Sequence, residues 1–393
     1  MYFSSPKNKV YMIQEVVSKF KDLYKSQPSV FRSPARINII GEHTDYNAGF
    51  VLPAAINKEM YFAVAPNNVK AFRFFAFDLN ESAEIHCSQI EIQTSKTWTN
   101  YLLGVVAQLI KKGIEISGVD VVVGGTIPIG AGVSSSAAME CGFLFALNTL
   151  FSLNLSTWDM AKMAQMAEHE FAGVKCGIMD QFAVMFGKKN QVMKLDCRSL
   201  EFSYSPFQLD DYSILLCDTA VKHTLASSEY NLRRTECEKG VAEVAKHFPN
   251  IHSLRDVSLN QLNHCASQLS ALTINRCSYV IEENIRLEKT CEAMQSNDLE
   301  TVGKMIYASH EGLSKKYEVS CKELDILVDI ARNTQGVLGA RMMGGGFGGC
   351  TINIVHKESV ANFKQRVQKE YYLAHNKPEN IIAVAITEGT SIM

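Results

Sequence analysis

I-P-I-G-A-G-V-S-S-S-A-A, residues 127–138, decides how this chain is read. An apolar, β-branched run, Val119–Val123, precedes it and reads as a strand. Ala137–Leu150 follows and is long enough for a helix. Between them stand Pro128, Gly130 and Gly132, then Ser134, Ser135 and Ser136. Glycines let a backbone turn sharply and approach a ligand. A helix N-terminus offers unpaired N–H groups and the positive end of a dipole. Together they make a seat for an anion, and the usual anion is phosphate. The plainer reading is a tight turn with a serine N-cap, which needs one serine and no glycine pair. Gly-x-x-x-x-Gly-Lys-Ser/Thr is absent, so the loop is not a common P-loop.

Composition narrows the setting. At 393 residues, two domains are the natural expectation. A net charge of −2 gives no electrostatic footprint for nucleic acid or an anionic membrane. Anion binding must therefore come from local geometry. Eleven cysteines without C-x-x-C pairs suit free thiols in a reducing cytoplasm. The N-terminal M-Y-F-S-S-P-K-N-K-V lacks the basic and apolar regions of a signal peptide. The most apolar stretch, 137–153, is interrupted by Glu140, Asn148 and Ser152 and is too short and polar to span a bilayer.

Upstream of the loop, Val10–Tyr24 reads as an amphipathic helix and Arg36–Ile40 as a strand ended by Gly41. The next turn carries Glu42, His43, Asp45, Tyr46 and Asn47 within six positions. With a single histidine, a metal site is a weak reading of it. A solvated loop is the default that composition favours. A sugar site is the third reading, because ionised carboxylates accept from hydroxyls. Tyr61–Ala65 and Ala71–Phe77 read as strands, and Trp98–Lys112 as a helix closed by Gly113. Trp98 could stack on a nucleobase, although packing is the more frequent role.

Downstream, Ser156–Phe171 reads as a helix with a Ser156/Asp159 capping box and a Gly173 stop. Glu168 lies beside its apolar stripe and, aimed at phosphates, could hold Mg²⁺. Asp180 precedes a short helix, Phe182–Phe186, where it either serves the dipole or accepts from a hydroxyl. Gln191–Leu195 and Ser213–Cys217 read as strands near a domain change. Helices are expected over Ser227–Phe248, Tyr279–Ala293 and Leu299–Leu313, and another from a Ser320/Glu323 capping box to about Arg332. Gly344, Gly346 and Gly349 satisfy G-x-G-x-x-G, but the strand, Thr351–Val355, follows the glycines, which is wrong for a dinucleotide fold. Five glycines in six positions mean a backbone approached closely by something else.

These residues resemble the GHMP kinases, whose ATP loop is of the P-x-G-x-G-x-x-S-S-A type seen over Pro128–Ala137. More narrowly, they resemble the galactokinase family. The motifs are A-R-I-N-I-I-G-E-H-T-D-Y-N-A-G-F-V-L-P (35–53), K-C-G-I-M-D-Q (175–181), S-S-E-Y-N-L-R-R-T-E-C (227–237), H-E-G-L-S-K-K-Y-E-V-S-C-K-E-L-D (310–325) and R-M-M-G-G-G-F-G-G-C (341–350). The resemblance overturns the solvated-loop reading. It implies that Glu42, His43 and Asp45 hold galactose hydroxyls, with Gly177 giving main-chain contact and Tyr230 a phenol. Asp180 would sit by the C1 hydroxyl with Arg36 beside it. Pro128, Gly130, Ala131, Gly132, Val133, Ser134, Ser135, Ser136 and Ala137 would cradle ATP, and Trp98 would lie near adenine. Ser136 and Glu168 match the family's Mg²⁺ positions. Ala35, Ile129 and Ala131 stand where the family commonly has glycine, and alanine at 35 requires a negative φ.

The fold so implied is α+β, with domains over 1–200 and 201–393 and a site in the cleft between them. The implied activity is ATP-dependent phosphorylation of α-D-galactose at C1, the entry step of galactose catabolism. The expected partners are galactose and ATP alone, bound by a monomeric cytoplasmic chain. The rivals are a kinase for N-acetylgalactosamine or another sugar, a non-catalytic galactose and ATP sensor, and a metal hydrolase built on Glu42, His43 and Asp45.

Overall fold

The structure, a computed structural model, describes residues 6–128, 130–207, 209–221, 226–375 and 380–393. Ile129 and the first five residues, part of the N-terminal reading, lie outside them. In chain order the strands are β1 (Ser29–Asn38), β2 (Phe50–Val51), β3 (Pro53–Pro66), β4 (Ala71–Ala76), β5 (Glu81–His86) and β6 (Val119–Gly125). Then come β7 (Gln191–Asp196), β8 (Phe202–Pro206), β9 (Tyr212–Asp218), β10 (Val337–Met342), β11 (Cys350–His356), β12 (Asn380–Val384) and β13 (Ser391–Ile392). The helices are α1 (Pro6–Tyr24), α2 (Thr99–Lys111), α3 (Ser135–Leu150), α4 (Thr157–Ala167), α5 (Met179–Phe186) and α6 (Ala226–Ala245). The later ones are α7 (Leu259–His264), α8 (Ala271–Gln295), α9 (Leu299–Gly312), α10 (Lys322–Arg332) and α11 (Val360–His375).

The run before the glycine loop is β6, inside a six-stranded sheet of order β13-β1-β3-β6-β4-β5. Its period of two explains how both faces are buried. Val119, Val121 and Val123 point into the main core with Phe143, Leu144 and Leu147 of α3. Val122 points the other way, against Val16 and Phe20 of α1. The sheet is antiparallel except where β4 meets β6. A second sheet, β10-β11-β9-β12, is antiparallel throughout and packs on α9, α10 and α11. A small third sheet is β2-β7-β8. The mixture is α+β. The last strand returns to the first sheet, where Phe31 faces Ile392.

Several expectations are sharpened. β1 starts well before Arg36, because its register shift at Pro34/Ala35 absorbs the proline. Ala35 is outside the positive-φ residues, as alanine there demands. The Ser156/Asp159 capping box forms. The Ser320/Glu323 box does not: Cys321 takes the N-cap position, and the Ser320 hydroxyl donates to Asp325 Oδ1 at 2.6 Å. β8 was not foreseen, since its half-exposed F-S-Y-S-P carries little apolar signal. Among the described residues no helix is long and apolar enough to cross a membrane. All eleven cysteines are free thiols.

Candidate active site

A cleft of about 370 Å³ opens between the two sheets' elements. One wall is the glycine loop, from Pro128 and Gly130 through Ser136. Gly130, Gly132 and Ser134 have φ of 80°, 71° and 59°. Such alternation turns main-chain N–H groups toward one concave side, a seat for anions. The loop then enters α3, whose first-turn N–H groups lack intrahelical partners. Ser134 occupies the N-cap position without capping. Its hydroxyl donates instead to Asp180 Oδ2.

Asp180 lies in the first turn of α5. Arg36, buried in β1, grips it with two parallel bonds, Nε to Oδ1 at 2.6 Å and Nη2 to Oδ2 at 2.9 Å. This is the strong bidentate geometry of a guanidinium on a carboxylate. The remaining Nη1 donates to Gly132 O at 2.7 Å, and Arg36 N donates to Val133 O at 3.1 Å. One arginine thus ties the anion loop to the carboxylate. Burial works against its charge, but Asp180, Glu42 and Asp45 together more than offset that and hold the guanidinium cationic.

The polar turn forms the facing wall. Glu42 is buried, and its Oε1 accepts from Arg341 Nη1 at 3.0 Å and Gly344 N at 2.9 Å. His43 sits at φ 62° with its Nδ1 2.7 Å from the Tyr46 hydroxyl. Burial, then the nearby Arg233 charge, pushes its imidazole down to about 3, so it is neutral at ordinary pH. Asp45 packs against Gly177: a Cβ there would meet Asp45 Oδ2 at 2.0 Å. Burial, then the charge of Asp180, pushes the Asp45 carboxyl up to about 7. The Tyr230 ring completes this wall, its centroid 5.3 Å from that of His43.

Glu168 opens a π-helical turn, Glu168–Ala172, that continues α4. Such turns recur at functional sites. Its carboxylate is buried beside the Ser136 hydroxyl and accepts from Gln181 Nε2 at 2.7 Å. Burial, then Asp180, pushes it up to about 7. An acidic group held this way, next to an anion seat, fits a hard divalent cation with oxygen ligands. Among the described residues no trio of His, Cys, Asp or Glu could hold a metal by itself. That leaves Glu42, His43 and Asp45 without support as a metal centre.

The cleft lining thus includes Arg36, Glu42, His43, Asp45, Ser134, Ser135, Ser136, Glu168, Asp180 and Tyr230. Ala137 is fully buried behind the loop. Gly177 backs Asp45 without lining the cleft. Trp98 also stands outside the lining, its indole N–H donating to Glu81 Oε2 at 2.9 Å and its ring edge-on to Phe74. Sequence reasoning passed over Arg341, Gln181 and Glu140. An arginine inside an apolar strand was a legible signal for Arg341. Glu140 is wholly buried on α3 with neither oxygen in a well-formed hydrogen bond, and burial, then Glu168, pushes its carboxyl well above the ordinary range.

Three family models match: the GHMP kinases N terminal domain over residues 100–188, the galactokinase galactose-binding signature over 18–66, and the GHMP kinases C terminal over 290–373. A galactokinase of Thermotoga maritima is 42% identical over 340 residues, covering 86% of this chain and 93% of that one. A galactokinase of Clostridium beijerinckii is 39% identical over 383 residues, covering 96% and 98%. The crystal structure of Lactococcus lactis galactokinase complexed with galactose superposes with a TM-score of 0.93 at 32% identity, covering 97% of this chain and 99% of that one. Methanococcus jannaschii mevalonate kinase, at 18% identity and a TM-score of 0.68, shares the fold over 93% of this chain and all of its own. The chain belongs to the galactokinase family of the GHMP kinases.

Proposed function

We propose that the protein transfers the γ-phosphoryl group of ATP to the C1 hydroxyl of α-D-galactose, giving α-D-galactose 1-phosphate and ADP. The observation that carries this reading is the Arg36–Asp180 pair, joined to the loop by Gly132 O and the Ser134 hydroxyl. It supports a reading in which one carboxylate serves both the anion seat and the hydroxyl-binding turn. The loop amides of 130–136 bind the triphosphate. Glu42, His43, Asp45 and Tyr230 orient the sugar. Asp180 accepts the hydrogen bond of the attacking hydroxyl and takes its proton as the new P–O bond forms and the bond to the ADP oxygen breaks. Arg36 offsets the negative charge that collects there. Transfers of this kind depend mostly on positioning and charge neutralisation.

Ser136 and Glu168 would hold Mg²⁺. That ion would neutralise phosphate charge and shape the triphosphate. Around it, the chain's own Gln181 orients Glu168 through a 2.7 Å bond. The nucleotide lies on the first domain, 1–200, and the sugar between it and 201–393. Eleven free thiols support a reducing compartment.

The test is ADP release by the purified protein with Mg²⁺–ATP and a panel of free hexoses. Galactose-dependent release, with glucose and mannose inert, is the expected result. Equal turnover of N-acetylgalactosamine would move the substrate assignment. Binding of galactose and ATP without ADP release would replace the kinase by a sensor.

A further inference from the structure

Glu42 offers its two oxygens unequally. Oε1 takes three donors: Arg341 Nη1 at 3.0 Å, Arg341 Nη2 at 3.1 Å and Gly344 N at 2.9 Å. Among the described residues no donor reaches Oε2, and the side chain lines the cleft. Arg341 cannot swing, because it is fully buried and spent on carbonyls. Its Nε donates to Ile39 O at 3.0 Å, Nη1 to Met342 O at 2.6 Å and Nη2 to Asn38 O. The main chain of the turn is fixed as well. The Tyr279 hydroxyl donates to Glu42 O at 3.0 Å, and Gly41 N donates to Glu283 Oε1 at 3.0 Å. The terminal torsion of a glutamate is broad and roughly two-fold, so a loosely held Glu42 would present either oxygen.

We propose that Arg341 is a positioning residue for sugar recognition: with the Gly344 N–H it captures Oε1 and leaves Oε2 as a single acceptor for one galactose hydroxyl. The glycine stretch 344–349 then does more than back the anion loop. It lets the C-terminal half set the selectivity of a residue carried by the N-terminal half. The inference rests on the reading of Glu42 as a sugar ligand.

The test is a series of monodeoxygalactoses on the wild type and on Arg341→Lys, Glu42→Gln and Glu42→Ala. A hydroxyl bonded to a charged acceptor is worth about 10- to 100-fold, so the wild type loses about that factor in kcat/KM for one deoxy sugar. In Arg341→Lys that ratio collapses toward one, galactose KM rises, and ATP KM is unmoved. A merely structural arginine would lower all the sugars alike and keep the ratio. Glu42→Gln is isosteric and settles the point even where Arg341→Lys fails to fold. The three donors force its carbonyl to the Oε1 side, so a neutral amide NH₂ meets the sugar hydroxyl where a charged acceptor stood, and the deoxy ratio falls to that of a neutral hydrogen bond, about 10-fold or less. A glutamine that keeps the full wild-type ratio shows that no charged Oε2 meets the hydroxyl, and the inference falls. Unchanged galactose KM in Glu42→Ala removes Glu42 from the sugar site and the inference with it. Loss of galactose binding in Glu42→Ala with the ratio intact in the other two variants overturns Arg341's role alone.

Discussion

Adding one methyl group at Gly177 is expected to disable the sugar site while sparing the nucleotide site. An ideal Cβ there would lie 2.0 Å from Asp45 Oδ2, 2.1 Å from its Cγ and 2.7 Å from its Cβ. Ordinary contact begins at 3.4 Å, so the carboxylate must retreat by about 1.4 Å, the difference from 2.0 Å. Gly177 is outside the positive-φ glycines, so alanine suffers no backbone strain of its own. The carboxylate end gives way most, but Asp45 Cβ at 2.7 Å is fixed to the backbone, so the main chain of the turn must shift by a few tenths of an ångström as well. A misplacement of about 1 Å in a positioned group costs about 100-fold in rate. Gly177→Ala should therefore lose about that factor in kcat/KM for galactose, mostly through KM. Its ATP KM should stay near wild type, and its thermal midpoint should fall by only about 4–8 °C, the cost of a small main-chain shift. Coupled ADP release over galactose and ATP titrations measures all but the midpoint, which a thermal melt supplies. Wild-type galactose kinetics in a folded Gly177→Ala protein would refute the placement of Asp45 as a sugar ligand.

Burial, then the charge of Asp180, pushes Asp45 up from its ordinary 3.8 to about 7, and its ionised form is the stronger acceptor for sugar hydroxyls. Galactose affinity measured by calorimetry without nucleotide should therefore rise about tenfold from pH 6 to pH 8, with Asp45→Asn flattening the profile. His43 stays neutral across that window and contributes nothing to the slope. Glu168→Gln should raise the Mg²⁺ needed for half-maximal turnover by about tenfold or more, with galactose binding unchanged; an unchanged Mg²⁺ titration would exclude Glu168 as a ligand. Glu140→Met removes a buried carboxyl whose oxygens lack well-formed partners, and should stabilise the fold by about 1–3 kcal/mol in denaturant titration. The sign follows from the raised carboxyl. The wild type's stability falls as pH rises above the ordinary value of 4.5, so the gain should be larger at pH 8 than at pH 5.

Much of this was legible in the chain because its signals are local. The β-branched run V-D-V-V-V and the Ser156/Asp159 box each act within a few residues, and each took the form expected, while the serines after the Gly130/Gly132 pair open α3. The polar turn was different. Its residues alone favoured a solvated loop, and only the motif turned the reading toward a sugar. Its burial comes from Arg341, Tyr279 and Glu283, about 240 to 300 positions away, as the separations of 299, 237 and 242 for their bonds record. No spacing rule reaches that far. Likewise, Arg36 and Asp180 are 144 residues apart and meet only because β1 and α5 share one core. Ser320 misled because an adjacent cysteine took the cap while the serine found a partner five residues on. Trp98, with one edge on Phe74 and its N–H on Glu81, shows the packing role that the general frequencies favour.

The central claim is that Asp180 and Arg36 present an anomeric hydroxyl to phosphate held by the 130–136 loop. Phosphorus NMR of the product, with coupling to sugar protons resolved, tests it most directly. The account predicts one new phosphomonoester, coupled to the single anomeric proton of the α-sugar, formed by the wild type and absent with Asp180→Ala. A phosphorus coupled to the two C6 protons, or a β-anomer, would contradict it.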